Sequence, residues 1–165
     1  MLDPARHDRS SFNSGEPTLD QWLRRYAGQN RRWNTAATWV ISDAHEAVVA
    51  YASIAMTSID HSAAPFQLAK HAPDPVPALL LGRLAVDHRH KGKGIGTALV
   101  AHVLATAVEL NAVAACRAVV VSAIDERAHH WWERLGFCPF DPKDQDRPDL
   151  YLLTGDIRKT LDRRA

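Results

Sequence analysis

The stretch from Gly82 to Val100 reads GRLAVDHRHKGKGIGTALV, so an apolar strand, a glycine-rich loop and an amphipathic helix follow one another directly. The glycines at positions 92, 94 and 96 let consecutive backbone N–H groups turn toward one point. The helix that follows adds the partial positive charge of its N-terminus. This order of elements predicts a cradle for an anion, and a pyrophosphate group is its natural occupant.

The spacing of the loop excludes two common nucleotide-binding motifs. A P-loop needs four residues between its glycines and then Gly-Lys-Ser/Thr, which is absent here. A dinucleotide fingerprint needs Gly-x-Gly-x-x-Gly and an acidic residue about 20 positions later, and the alternating glycines do not provide it. The pattern that remains is Lys91-x-x-Gly94-x-Gly96. The alternative is a turn that only connects strand to helix, but the flanking elements favour a ligand loop.

Length and composition predict one domain that spans residues 1–165, because a chain of this size with 46% apolar residues can bury its own core. A formal net charge of +1 gives no global field that recruits nucleic acid. Cys116 and Cys138 have neither metal-ligand spacing nor the density of a secreted scaffold, so we expect free thiols and no metal site. With no leader or long apolar run, we expect a cytoplasmic protein without a membrane partner.

The periodicity of apolar residues predicts the order of elements. Pro17 stops any structure from running through it, so a capping box at Thr18-x-x-Gln21 begins a helix that runs to Gly28. Two antiparallel strands, 35–42 and 47–59, follow it. A helical turn is expected between Pro65 and Pro73. The remaining strands and helices are expected at 78–86, 97–111, 118–122, 138–141 and 150–153. A further helix is expected between Asp125 as its cap and Gly136 as its C′ residue. Strand–helix–strand crossovers require a parallel pair and hairpins require antiparallel ones, so a mixed sheet with helices on its faces is predicted.

The pattern Lys91-x-x-Gly94-x-Gly96 resembles the acetyl-CoA pyrophosphate loop of the GNAT N-acetyltransferases, with Lys91 where Gln or Arg is usual. The resemblance implies an α/β (α+β) GNAT fold: a mixed, mostly antiparallel sheet with splayed central parallel strands and helices on both faces. It also implies acetyl-CoA as co-substrate, whose pantetheine arm pairs with the backbone of β-strand residues. The implied cofactor contacts are Leu84, Ala85, Val86, Lys91, Gly92, Lys93, Gly94, Ile95, Gly96, Thr97, Asp125, Ala128 and Trp131.

Within this superfamily, the chain resembles the TacT/AtaT class of toxins, which acetylate the α-amine of aminoacyl-tRNA. Its motifs are Phe12-Asn-Ser-Gly15, Leu19-Asp-x-Trp22-Leu23, Ala27-x-x-Asn30, Thr38-Trp39-Val40, Leu81–Asp87 and Ala128-x-x-Trp131-Trp132-x-x-x-Gly136-Phe137. The resemblance implies an aminoacyl-tRNA substrate, a ribbon-helix-helix antitoxin and a homodimer. The expected contacts to tRNA phosphates are Arg24, Arg25, Arg31, Arg32 and Arg83.

One position departs from the class. Its members carry Phe-Tyr where this chain has Trp131-Trp132, and the Tyr hydroxyl is expected to protonate the departing CoA thiolate. An indole N–H is not a usable general acid. Water could protonate the thiolate instead, and Trp132 could be a packing residue against the CoA arm. The backbone N–H near Val86 is expected to polarise the thioester carbonyl. His88 is an alternative general base, although the acceptor amine needs no strong base.

Two other functions remain open at this stage. A GNAT enzyme that acetylates a small amine or a protein N-terminus would act on free amines and cause no growth arrest. A catalytically weak acyl-CoA-binding protein would bind acetyl-CoA and turn over little of it, as the missing Tyr suggests.

Overall fold

The computed structural model describes residues 1–144 and 148–162, and side chains as far as residue 160. Its helices are α1 (Pro17–Gln21), α2 (Ala27–Arg32), α3 (Phe66–Ala69), α4 (Ile95–Leu110), α5 (Glu126–Arg134) and α6 (Thr154–Asp162). A π-helical turn, Trp22–Tyr26, joins α1 to α2, and a 3₁₀ turn covers His88–His90. The strands are β1 (Ala37–Ser42), β2 (Val48–Ile59), β3 (Val76–Val86), β4 (Ala118–Ser122), β5 (Cys138–Pro139) and β6 (Asp149–Leu153).

The six strands form one sheet in the order β1-β2-β3-β4-β6-β5. Strands β1 and β2 are antiparallel, as are β4 with β6 and β5 with β6. Strand β3 is parallel to β4, and the paired residues are Ala78–Leu80 with Ala118–Val120. The predicted mixed, mostly antiparallel sheet is therefore confirmed. Strand β3 continues beyond this pairing to Val86, where it enters the glycine-rich loop.

The chain divides into two compact units, of which the first contains Met1–Ala55 and Leu81–Val103. Its core packs Leu23 and Ala27 of the first helical run against Tyr51 of β2 and Ala85 of β3. The N-terminal segment joins this unit through backbone hydrogen bonds. The Leu2 N–H, for example, donates to the Thr38 carbonyl oxygen at 2.7 Å. The end of β3 and the helix 17–32 therefore share one apolar core, and the same unit contains the glycine-rich loop.

The second unit contains Met56–Leu80 and Leu104–Ala165. Its core gathers Leu68 of α3, Ala78 of β3, Val120 of β4 and Tyr151 of β6. Tyr151 meets Phe140 edge-on, with ring centroids 5.7 Å apart. This cluster fixes β4, whose last residues lead into α5. The expectation of a single domain over residues 1–165 stays a prediction.

Most predicted elements are confirmed to within two residues, but the start of the first helix is wrong. Pro17, expected to precede the helix, is its first residue, and Glu16 is the N-cap without a side-chain hydrogen bond. Proline suits this position because its missing N–H has no partner in the first turn of any helix. The helix also continues past Gly28 and ends at Arg32, and Asn34 in the turn that follows has φ 56°. Helix α6 was not predicted.

Candidate functional site

The glycine-rich loop has the backbone geometry of an anion cradle. Gly92 and Gly94 both have φ +76°, and a Cβ at either position would meet no atom within 4 Å. Within the described residues, none of the backbone N–H groups from 92 to 97 donates a hydrogen bond to the protein. The last of them belong to the first turn of α4, where such groups lack intrahelical partners. A row of free donors in front of a helix of 16 residues fits a pyrophosphate.

Lys91 precedes this row of donors and contacts a distant part of the chain. Its Nζ donates a hydrogen bond to the carbonyl oxygen of Ser14 at 2.7 Å. Gly15, which follows with φ +87°, lies close enough that a Cβ there would be 4.0 Å from the Lys91 ammonium group. The positive charge of Lys91 is therefore held beside the loop by the segment Phe12–Gly15.

Asp87 directly follows β3 and ties that same segment to the loop. Its side chain is fully buried and accepts hydrogen bonds from the Asn13 N–H at 3.1 Å and from the Arg89 Nε at 2.8 Å. The Arg89 guanidinium group and these N–H donors hold the pKa of Asp87 far below its usual range. His88 N–H and Nδ1 both face the Asn13 carbonyl oxygen, at 2.8 and 3.0 Å. Asp87 is thus a structural carboxylate that sets the course of the chain into the cradle.

The segment Phe12–Gly15 is also anchored to the first helix, which sequence reasoning did not reveal. The buried carboxylate of Asp20 accepts hydrogen bonds from the Ser14 N–H at 2.9 Å and from its hydroxyl at 2.6 Å. Arg24 Nη1 donates to the Phe12 carbonyl oxygen at 2.8 Å. In the sequence, this contact between Ser14 and Asp20 is indicated only by the joint presence of the motifs Phe12-Asn-Ser-Gly15 and Leu19-Asp. One segment therefore connects the helix 17–32 with the glycine-rich loop.

Strand β3 presents its last residues on two faces. Ala85 is buried in the core beneath the helix 17–32, whereas Leu84 and Val86 are only partly buried. Arg83 stands on the same face as Ala85 because side chains two apart in a strand share a face. Its guanidinium group lies 5.3 Å from the ring centroid of Trp22. The strand thus carries a fixed positive charge three residues before Val86.

Arg83 rests on a stack of two aromatic rings. Trp22 lies nearly parallel to Tyr51, with centroids 5.8 Å apart and an interplanar angle of 12°. The Tyr51 hydroxyl donates to the Leu19 carbonyl oxygen at 2.8 Å, and burial raises the pKa of this phenol. Trp22 and Tyr51 are thereby immobilised, and the cation above them is positioned at little entropic cost.

The five predicted phosphate contacts fall into two groups. Arg24 and Arg31 donate to the backbone oxygens of Phe12 and Leu2, so both guanidinium groups serve the fold. Arg25 and Arg32 are exposed, and neither makes an ion pair or hydrogen bond to another described residue. Arg83 lies over Trp22 as described. All five arginines are exposed, and Arg83 Nη1 also donates to the Gly82 carbonyl oxygen at 3.1 Å. Arg25 and Arg32 are therefore the two of these arginines without a hydrogen bond or ion pair to another described residue.

Helix α5 holds the remaining predicted residues. Asp125 is its N-cap, with Oδ1 accepting from the Ala128 N–H at 2.6 Å, so its carboxylate already has a partner within the helix end. Trp132 is buried and packs edge-on against Trp131 and Phe137, with centroids 4.7 and 5.1 Å away. Trp131 is partly buried. Trp132 is therefore packed within the protein, and its packing against the CoA arm stays a prediction.

A cavity of about 570 Å³ lies in the second unit, beside the N-terminal half of α5. Its lining includes two histidines, His129 and His130, and five acidic residues: Asp125, Glu126, Glu133, Asp141 and Asp144. A concentration of negative charge repels phosphate groups. This cavity is therefore unsuited to the pyrophosphate, for which the 92–97 loop has the right donors.

Fold, loop and strand together define an acetyltransferase of the GNAT class. Residues 4–137 match the model of the Acetyltransferase (GNAT) family, and the chain belongs to that family. It is 34% identical to the tRNA-acetylating toxin of Mycobacterium tuberculosis (strain ATCC 25618 / H37Rv) over 156 residues, which are 93% of this chain and 90% of the relative. This homologue places the chain among the relatives of toxins that act on tRNA.

Solved structures show the same fold. AtaT complexed with acetyl-methionyl-tRNAfMet superposes with a TM-score of 0.87 at 24% identity, over 97% of this chain and 96% of AtaT. AtaTR bound with acetyl-CoA gives a TM-score of 0.80 at 23% identity, over 95% of this chain and 92% of the other. The predicted GNAT fold is confirmed. No helix within residues 1–144 and 148–162 is long and apolar enough to span a bilayer.

Proposed function

We propose that this chain transfers the acetyl group of acetyl-CoA to the α-amine of an aminoacyl-tRNA and thereby acts as a translation-blocking toxin. The observation that supports acetyl-CoA as the acetyl donor is the row of unpaired backbone N–H groups at 92–97 in front of α4. The acceptor half is supported by the tRNA-acetylating relative from M. tuberculosis, which covers most of the chain. Gly92 to Thr97 would hold the pyrophosphate, and Lys91 would add a positive charge.

Bound acetyl-CoA would supply an activated thioester, and the chain's task is to polarise its carbonyl group. Asp87 N–H donates to Val49 on β2 at 2.8 Å. Because successive N–H groups of a strand point to opposite edges, the Val86 N–H is directed away from β2. A fixed backbone donor at the free edge can stabilise the negative charge that develops on the thioester oxygen. We therefore assign this function to Val86, and strand-like pairing with the pantetheine arm to Leu84 and Ala85.

The acceptor needs no strong base. An α-amino group has a pKa of roughly 7.7–8.0, so a substantial fraction is neutral near pH 7.5. Arg83, fixed above Trp22, places a positive charge on the acceptor side of β3 and favours the neutral amine further. The side chain next to Val86 in the sequence, Asp87, is buried and occupied by Asn13 and Arg89. Proton loss to water is thus the simplest route.

A second function is favoured by Trp132. Its ring is buried and packed against Trp131 and Phe137, and it offers no hydroxyl group to the leaving thiolate. Such a chain can be a catalytically weak acyl-CoA-binding protein. The penalty is limited, however, because a thiolate with a pKa of about 8.5 leaves without strong acid assistance. This is why we favour the enzyme over the binder.

One experiment separates these functions. The purified chain is incubated with acetyl-CoA and charged total tRNA, the ester is hydrolysed mildly, and mass spectrometry detects N-acetylated amino acids. The proposal predicts one or a few acetylated species. Acetylation of free amines alone would indicate a small-amine or protein N-terminus enzyme, and binding of acetyl-CoA without any product would indicate the weak binder.

The partners follow from the same proposal. AtaT has been solved bound to the C-terminus of its antitoxin AtaR. We propose a comparable antitoxin for this chain, of the ribbon-helix-helix type, together with a homodimer and a cytoplasmic site of action. Expression of the chain alone is then expected to arrest growth, and co-expression of the antitoxin to relieve the arrest. Light scattering of the purified chain tests the dimer.

A further inference from the structure

The helical run 17–32 has an outer face that the fold does not use. Leu23 and Ala27 are fully buried and mark the inner face. Arg25 and Arg32, seven residues apart, lie on the outer side, and so do Tyr26 and Trp33. The side-chain amide of Asn30 donates to the Tyr26 carbonyl oxygen at 3.0 Å, and Trp33 is the C-cap of the same helix. We call Arg25, Tyr26, Arg32 and Trp33 the outer face.

The outer face combines exposed rings with free cations. Trp33 is 67% exposed and Tyr26 is 43% exposed, which is unusual for rings of this size. Within the described residues, Arg25 and Arg32 have no carboxylate partner, unlike Arg89. The sequence explains this, because residues 21–42 contain four arginines and no acidic residue. A chain of net charge +1 thus concentrates positive charge on one helix.

Exposed aromatic rings beside arginines fit unpaired nucleotides. Bases of a single strand stack on aromatic side chains while guanidinium groups contact the phosphates. The exposed rings alone would favour self-association of the chain through this face. Two copies of the face would, however, bring four unneutralised arginines together. Charge therefore favours a polyanion over a second copy of the chain.

The position of the outer face matches the length of an acceptor end. Trp22, beneath Arg83, lies 11 residues before Trp33, which corresponds to at most roughly 16 Å along a run whose first turn is π-helical. The unpaired 3′ end of a tRNA has four nucleotides, which extend about 14 Å when stacked at about 3.4 Å each. A strand whose terminal residue lies near Arg83 would therefore reach Trp33 where the paired stem begins.

We propose that the outer face binds the single-stranded 3′ end of the tRNA, with Tyr26 and Trp33 stacking on bases and Arg25 and Arg32 contacting phosphates. This inference rests on the proposed function, since it names the element that receives the same substrate. The arginines then have different functions. Arg24 and Arg31 stabilise the fold through hydrogen bonds to backbone oxygens, whereas Arg25 and Arg32 bind RNA phosphates.

The test measures binding of the full chain to deacylated total tRNA and to the same tRNA trimmed of its four unpaired nucleotides. Trp33→Ser is expected to weaken binding of intact tRNA about tenfold, the loss of one stacked base, and to leave trimmed tRNA unaffected. Trp33→Phe, which keeps an aromatic ring for stacking, is expected to bind intact tRNA more tightly than Trp33→Ser and nearly as well as the parent. The double variant Arg25→Gln/Arg32→Gln should reduce the slope of log K against log salt by about 1.4.

Arg158→Gln is the matched control, because Arg158 is an exposed arginine of α6 outside the outer face. Equal loss on intact and trimmed tRNA, or variants that bind like the parent, would overturn the proposal. A change of oligomeric state in sedimentation without a change in tRNA affinity would assign the face to self-association and also overturn it. These readouts need no acetylation. If tRNA binding responds as expected but no acetylated amino acid forms, the proposed function fails alone.

Discussion

The Lys91 ammonium group donates a 2.7 Å hydrogen bond to the carbonyl oxygen of Ser14, across 77 positions of sequence. Ser14 is itself held by the buried carboxylate of Asp20 in the first helix. The charge at the entrance of the cofactor loop is thus connected through two hydrogen-bonded steps to the helix proposed to receive the acceptor. A long flexible side chain becomes a fixed charge by this connection.

This contact separates the functions of the two loop lysines. Lys91→Met is expected to lower the free energy of unfolding by about 1–2 kcal/mol, because it removes a charge-assisted hydrogen bond. Lys93 is exposed and makes no hydrogen bond or ion pair to another described residue, so Lys93→Met should leave unfolding unchanged. Both variants should weaken acetyl-CoA binding. Denaturant titration and calorimetry measure the two effects, and equal stability of both variants would contradict the structural part.

The backbone of the loop gives a second prediction. Gly94 has φ +76°, a conformation that costs an alanine about 1–2 kcal/mol, while its Cβ would meet no protein atom within 4 Å. Gly94→Ala should therefore still fold, with a strained or rearranged loop, and its affinity for acetyl-CoA should fall about tenfold or more. Gly155→Ala is the control, since Gly155 has open space and no positive φ. Unchanged acetyl-CoA affinity in Gly94→Ala would remove this loop from the site.

Local signals were enough to predict most of this architecture. The Gly92–Gly96 spacing and the apolar periods fix strand β3, the loop and α4, because these depend on neighbouring residues. The hydrogen bonds of Ser14 to Asp20 and Lys91 could not be derived that way, because these two residues lie 6 and 77 positions away in the sequence. Pro17 was misjudged because the same residue that interrupts a helix also suits its first turn. Long-range polar contacts leave no periodic trace in a sequence.

Trp132 gives a third prediction, about the leaving group. If the missing hydroxyl limits the rate, Trp132→Tyr should raise kcat by up to about 10²–10⁴, because a phenol can protonate the thiolate. The smaller ring loses part of its packing against Trp131 and Phe137, so a loss of about 1–3 kcal/mol in stability is expected as well. Steady-state kinetics and thermal unfolding measure both.

Trp132→Phe is the control, since it makes a similar cavity and supplies no hydroxyl group. A gain in kcat for Trp132→Tyr alone would assign the effect to proton donation. If both variants lose stability and neither gains rate, the chemistry runs without a side-chain acid, and Trp132 acts only through packing.

Asp87 gives a fourth prediction, about acid stability. Its carboxylate is fully buried and its pKa is lowered, chiefly by hydrogen bonds from Arg89. A lowered folded-state pKa contributes stability that is complete above the unfolded value of about 3.9 and is lost as the pH falls below it. Asp87→Asn should therefore cost about 2 kcal/mol at pH 7, where the parent makes charged hydrogen bonds, and progressively less below pH 4. Asp60→Asn, at an exposed aspartate without such contacts, should show no such difference. Urea unfolding at pH 7, 4 and 3 measures it, and a constant difference between parent and Asp87→Asn across that range would show that the carboxylate's charge does not hold the loop.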